Sequence, residues 1–168
     1  MLTSRNPDRA AALFIDAIHV AEADMQEYLV MDIYREATQA LVRLGRYADA
    51  GYVLMKFAVA CDATKQTNAQ NKAYLSTVVV YLAGGDVDSA WRAYQDSMPI
   101  TTFATSDEAH AADALFTSYA TGEAGKVKST VLAHRPFQYI GERRNVLGAS
   151  AFASRDRNDW CVSQLVLS

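Results

Sequence analysis

The sequence predicts an all-α fold built from stacked antiparallel helix pairs. Three observations predict it. Gly and Pro number only 8 and 3 in 168 residues, while Ala, Leu and Val are abundant, a balance that favours helix. Apolar residues recur at helical spacing along most of the chain. Gly45, Gly85 and Gly125 stand at one 40-residue step, and periods of that size mark repeat architectures.

The neighbours of these glycines repeat with them. Two residues on comes an apolar side chain: Tyr47, Val87, Val127. Five residues on comes a small one: Ala50, Ala90, Thr130. Four further on comes a bulkier one: Leu54, Tyr94, His134. The pattern predicts that each glycine ends a helix in the left-handed conformation, where glycine is least strained. The next helix then starts at once. Its first-turn apolar residue is expected to pack back on the previous helix, and its small residue to allow close approach. One such pair cannot bury its apolar face alone, so pairs stack into a solenoid.

The elements follow in order. Asn6-Pro7-Asp8 reads as a helix start, followed by Leu13, Phe14, Ala17, Ile18 and Ala21 at helical spacing. Residues 31–44 and 47–63 form the first pair around Gly45. Residues 64–69 are polar and read as a loop. Residues 71–83 and 88–97 form the second pair around Gly85. Residues 78–81 are rich in β-branched side chains, yet their length and flanks predict a buried helix. Residues 99–105 break the pattern. Ser106 reads as a cap, with Asp107 and Glu108 favourably placed in the first turn. Residues 107–119 and 126–134 form the third pair around Gly125, ended by Pro136. A short helix is expected after Glu142. One helical-repeat domain thus spans 1–152 and a tail spans 153–168.

Charge and cysteine usage narrow the function. The net charge is −3, with a pI near 5.6, and nucleic-acid binders ordinarily show a basic excess. Arg143-Arg144 and Arg155-Asp156-Arg157 are short patches, with an acid inside the second. Cys61 and Cys161 make no CxxC pair and are expected to be reduced thiols in an intracellular protein. No apolar run approaches the roughly 18 residues of a membrane span, and the first residues lack the apolar core of a signal peptide. The expectation is a cytoplasmic protein that meets membranes peripherally, through partners.

No catalytic, cofactor or metal site is predicted. His19, His110 and His134 fall in different helices without a second ligand at metal-site spacing. His110 lies three residues from Asp107 and from Asp113, which predicts a surface charge pair. Gly84-Gly85 lacks the lysine and hydroxyl of a phosphate loop. Lys56, Lys65 and Lys72 are candidates for a binding groove.

Several stretches resemble one family. The segment from Leu41 to Ala50, LVRLGRYADA, and the run Gly85-Asp86-Val87-Asp88-Ser89-Ala90 look like helix turns of the soluble NSF attachment proteins (SNAPs), the gamma type above all. More specific are Tyr94-Gln95-Asp96-Ser97-Met98-Pro99, Phe103 and Ser106-Asp107-Glu108, which resemble a helix end, a proline loop and an acidic helix start. Ala111, Leu115, Phe116 and Tyr119 continue the match, and Pro136-Phe137-Gln138-Tyr139 resembles a further landmark. The resemblance spans residues 30–152 and corresponds to the family's C-terminal half.

The resemblance implies a tetratricopeptide-like right-handed superhelix. It also implies a non-enzymatic adaptor that binds SNARE complexes and recruits the NSF ATPase for their disassembly. On that reading Asp107, Glu108, Asp113, Glu142 and the penultimate Leu167 are candidates to face NSF. Lys56, Lys65 and Lys72 are candidates to face the SNARE bundle. Two other readings stay open. A generic tetratricopeptide-like scaffold would use Asn71 and Lys72 as part of a peptide clamp. A helical enzyme would need a pocket around His110 or His134.

Overall fold

The turns of this chain repeat more faithfully than the helices they join. At the first, Gly45 takes φ +71°. Its N–H donates to the Val42 carbonyl at 3.0 Å, and the Arg46 N–H donates to the Leu41 carbonyl at 2.9 Å. These two bonds satisfy carbonyls that a helix end leaves open. The Arg46 carbonyl then accepts the Ala50 N–H at 3.0 Å, so the residue that closes one helix opens the next. Gly85 repeats the arrangement at φ +75°, with Gly85 bonded to Leu82, Asp86 to Tyr81, and Ala90 to Asp86.

The computed structural model describes residues 7–24 and 27–140. They form α1 (Pro7–Asp24), α2 (Glu27–Arg43), α3 (Tyr47–Ala63), α4 (Thr67–Ala83), α5 (Val87–Ser97), α6 (Thr101–Ala104), α7 (Asp107–Ala120), α8 (Ala124–Ala133) and α9 (Arg135–Ile140). The architecture is an all-α helical-repeat superhelix, with α2/α3, α4/α5 and α7/α8 as the expected pairs. The helix expected after Glu142, the 152/153 boundary, Cys161 and the tail lie outside the described residues.

Two expectations are corrected at the turns. The six-residue loop at 64–69 is a short turn, and α4 begins at Thr67. Lys65 itself takes the left-handed conformation, at φ +60°. Its N–H reaches the Asp62 carbonyl and that of Gln66 reaches Cys61, while Gln70 donates to Gln66. The 40-residue step is therefore two steps of 20, one helix and turn each. The third glycine is also misplaced. Gly125 lies inside α8, and Gly122, at φ +69°, makes the turn. The helix starts at Tyr47, Thr67, Val87 and Asp107 keep the 20-residue step through α6, but α7 has 14 residues where α3 and α4 have 17, which moves the packing register by three residues. Counted from Gly122, the small or medium residue five places on is Val127 and the larger one nine places on is Val131. Both are buried, whereas Thr130 and His134 are only half-buried.

The same count from Gly45, Lys65 and Gly85 gives Ala50 and Leu54, Gln70 and Tyr74, Ala90 and Tyr94, all buried. Pro136 does not simply end the third pair. It sits in the first turn of α9, where its missing N–H leaves no bond unmade.

Packing centres on α4. Successive helices from α1 to α5 pack each on the next, and α4 also touches α6, α7 and α9. Buried side chains run almost unbroken from Gln70 to Val80, so residues 78–80 are the buried helix expected. The α3/α4 seam is the closest. A Cβ on Gly51 would lie 2.4 Å from Cζ of Tyr81, and one on Gly84 would lie 2.8 Å from Cβ of Tyr47. Each helix thus lays a tyrosine on the other's glycine. Tyr47, expected to pack back on the previous helix, rests on the end of the following one. Cys61 is a free, buried thiol in this seam's helix, and burial pushes its pKa up to about 11. Arg46 ties the first turn to its surroundings, pairing with Asp8 of α1 and with Asp49.

Candidate partner-binding surface

The acidic start of α7 is built as the sequence predicts. Ser106 has extended backbone, and its Oγ accepts the Ala109 N–H at 3.2 Å. The same hydroxyl donates to the Phe103 carbonyl at 2.6 Å, joining the cap to α6. Asp107 is exposed and Glu108 half-buried in the first turn, with Asp113 exposed beyond them. Carboxylates here are favoured by the open N–H groups of the helix start. Among the described residues none of the three forms an ion pair.

His110 does not pair with Asp107 or Asp113. Its Nδ1 donates to the Ser106 carbonyl at 2.8 Å, one turn back. His134 does the same to the Thr130 carbonyl at 2.8 Å. A carbonyl four residues back lies within easy reach of a ring folded along the helix, and it competes with the flanking carboxylates. Among the described residues no group of His, Cys, Asp and Glu could hold a metal ion, and no helix is long and apolar enough to cross a membrane.

The three candidate lysines occupy three settings. Lys56 on α3 reaches Glu22 of α1, at 3.0 Å to Oε2 and 3.3 Å to Oε1. It also lies 6.0 Å from the Tyr52 ring centre. Glu22 in turn accepts the Tyr34 hydroxyl of α2 and lies 3.6 Å from His19 Nδ1. Burial raises the Glu22 acid, but the bonds from Tyr34 and Lys56 outweigh it and hold the carboxyl below its usual range. Burial and the same carboxylate push the Tyr34 phenol up. Lys65 is exposed at the α3–α4 turn. Lys72 sits 5.4 Å from the centre of the Tyr139 ring, bridging α4 to α9. Glu142 and Leu167 lie outside the described residues.

The possible clamp residues are engaged within the fold. Asn71 Nδ2 donates to the Thr102 carbonyl at 3.1 Å, holding α6 on α4. Its Oδ1 is buried without a partner among the described residues. Asn71 and Lys72 therefore serve α6 and α9.

Sequence reasoning did not single out Trp91. Its ring is 43% exposed and stands edge-on to Phe116 of α7, with centroids 5.1 Å apart at 88°. Tyr94 packs against both, at 5.6 and 5.5 Å. Behind them Phe103, fully buried, meets Tyr94 at 6.3 Å and Tyr74 at 5.2 Å. This aromatic ladder joins α4, α5, α6 and α7.

No family model matches the chain. No solved structure matches it. The chain is 33% identical over 127 residues to the gamma-soluble NSF attachment protein of Arabidopsis thaliana, a match covering 76% of this chain and 44% of that relative. The chain thus spans less than half the length of the relative it matches. Agreement over most of the chain, on a frame of helix pairs joined by the same repeated turn, places the protein in the soluble NSF attachment protein family.

Proposed function

We propose that this chain is a non-enzymatic SNAP-type adaptor in membrane trafficking, linking SNARE complexes to an NSF-type ATPase. The observation that carries the reading is the match to gamma-soluble NSF attachment protein over three quarters of the chain. The fold supports it. A stiff repeat surface can grip a rod-shaped bundle through many modest contacts, with hydrolysis left to the ATPase. The NSF-facing contact is assigned to the free carboxylates at the start of α7, Asp107, Glu108 and Asp113, with Glu142 and Leu167 beyond them. The SNARE-facing contact is assigned to Lys56, Lys65 and Lys72, of which Lys65 is the exposed one. The setting is the cytoplasmic face of membranes, reached through these partners.

The test is a pull-down of purified NSF and of an assembled SNARE complex on the immobilised chain. Both should be retained, and the NSF interaction should weaken as salt rises. Asp107→Lys with Glu108→Lys should weaken NSF retention about tenfold or more while leaving SNARE binding intact, since reversing two charges sets like charge against like across the contact. Retention of neither partner sinks the adaptor reading. Unchanged NSF binding by the double variant sinks the residue assignment alone.

A further inference from the structure

The outer edge of α5 carries an apolar stripe that the fold leaves open. Val87, Trp91 and Met98 fall on one side of the helix, 40%, 43% and 37% exposed. On a 3.6-residue period they stay within a narrow arc. The opposite wall is Phe116 of α7, which meets Trp91 edge-on. α5 rests on α4, and α4 also carries α7. The crease between α5 and α7 is thus floored by Tyr94 and edged by Trp91 and Phe116.

Two carboxylates stand on the rim of this crease, Asp88 on α5 and Asp113 on α7. Asp88 lies one turn before Trp91, and Asp113 one turn before Phe116. Both are exposed, and neither forms an ion pair among the described residues. Arg92 lies close enough to Asp86, at the start of the helix, to act on its carboxyl. A half-exposed tryptophan packed on two further rings, with an exposed carboxylate one turn before it on α5 and another one turn before Phe116 on α7, is the form of a binding hot spot for a cationic partner.

We propose that the α5/α7 crease is a docking site for a basic amphipathic helix of another protein. Apolar side chains of that helix would lie along Val87, Trp91 and Met98. Its lysines or arginines would meet Asp88 and Asp113. The site shares Asp113 with the NSF-facing assignment, while Val87, Asp88, Trp91 and Met98 belong to the crease alone, so the Trp91 variant separates the two readings.

The probe is a synthetic helix of about 18 residues, leucine on one face and lysine on the other, long enough to fold on contact. A Leu/Glu peptide of the same pattern is the control. Binding is read by titrating the labelled peptide against the full chain. One-to-one saturation is expected, with loss of affinity at high salt and no binding of the Leu/Glu peptide. Trp91→Ala should weaken binding at least about tenfold, the range of a hot-spot residue. Asp88→Asn with Asp113→Asn, both exposed, should weaken it by a similar factor and flatten the salt dependence. Val59→Ser, at the exposed apolar face of α3, should change nothing. The proposal is overturned if Trp91→Ala binds as the parent does, or if the Leu/Glu peptide binds equally well. It is also overturned if the chain dimerises through Trp91, seen as a concentration-dependent mass lost in that variant.

Discussion

The α3/α4 seam and the α5/α7 crease bring neighbouring helices together by opposite means. In the seam, glycine removes the side chain, and two tyrosines lie directly on backbone. Nothing else fits there. In the crease, large rings hold α5 and α7 apart, and the outermost ring remains half in water. The first arrangement makes a joint that tolerates no change of volume. The second leaves apolar surface for something else. A repeat protein needs both, since stacking fixes its shape and unfilled edges give it partners.

Five experiments bear on this contrast. Phe103→Ala should have the largest effect, about 3–5 kcal/mol by urea unfolding, because a fully buried ring leaves a cavity. Phe103 links the rings of α4 and α5, so both regions should loosen together. Gly51→Ala should cost about 1–3 kcal/mol through overpacking, and Tyr81→Leu in the same chain should recover part of that loss. A neutral Gly51→Ala would mean that the seam is not tight. Trp91→Ala should cost only about 1 kcal/mol, roughly the worth of its aromatic contacts. If it matched Phe103→Ala, the crease would be core rather than recognition surface.

Lys65→Gly should stabilise by about 0.5–1 kcal/mol. It relieves a left-handed side-chain residue at some loss of unfolded-state restriction. Thermal melting is the readout, and a lowered midpoint would refute the assigned turn geometry.

The smallest effect is the pH response of the tie between α1, α2 and α3. The folded state holds the Glu22 carboxyl below its usual range. Its contribution is therefore complete at neutral pH and is lost as pH falls through that depressed value. The Tyr34 phenol is raised, so its contribution is lost on the alkaline side, as pH rises above the ordinary phenol range. Glu22→Gln should flatten the acid limb of the unfolding midpoint against pH, measured between pH 7 and pH 3.

Much of the frame was legible. Gly45 and Gly85 announced their turns because glycine is the residue least strained at positive φ. Lys65 makes the same turn without any such mark, so half of the true period stayed hidden and residues 64–69 read as a loop. Gly125 misled for the converse reason. It kept the 40-residue spacing by accident, while the shorter α7 had brought the real turn forward to Gly122. Of the candidate surface, the Ser106 cap and its acids were readable from local chemistry. The His110 bond to a carbonyl was not, because the competing carboxylates sit at equally suitable spacing. Trp91 was hidden by its own periodicity. It shares a side of α5 with buried Tyr94, and only the gap between α5 and α7 decides that it stays open.

The turns also have a mechanical meaning. At Arg46, Gln66 and Asp86 the residue that terminates one rod starts the next, with N–H and carbonyl both committed. Such a hinge has no slack. Torque applied to one helix passes to its neighbour before any linker can stretch. Of the joints from α2 to α8, the connection through α6 departs furthest from that rule. There side chains take over the joint: Phe103 in the aromatic ladder and the Asn71 bond to the Thr102 carbonyl tie the segment to α4, so a load crossing it is carried by α4 and not by a shared backbone residue.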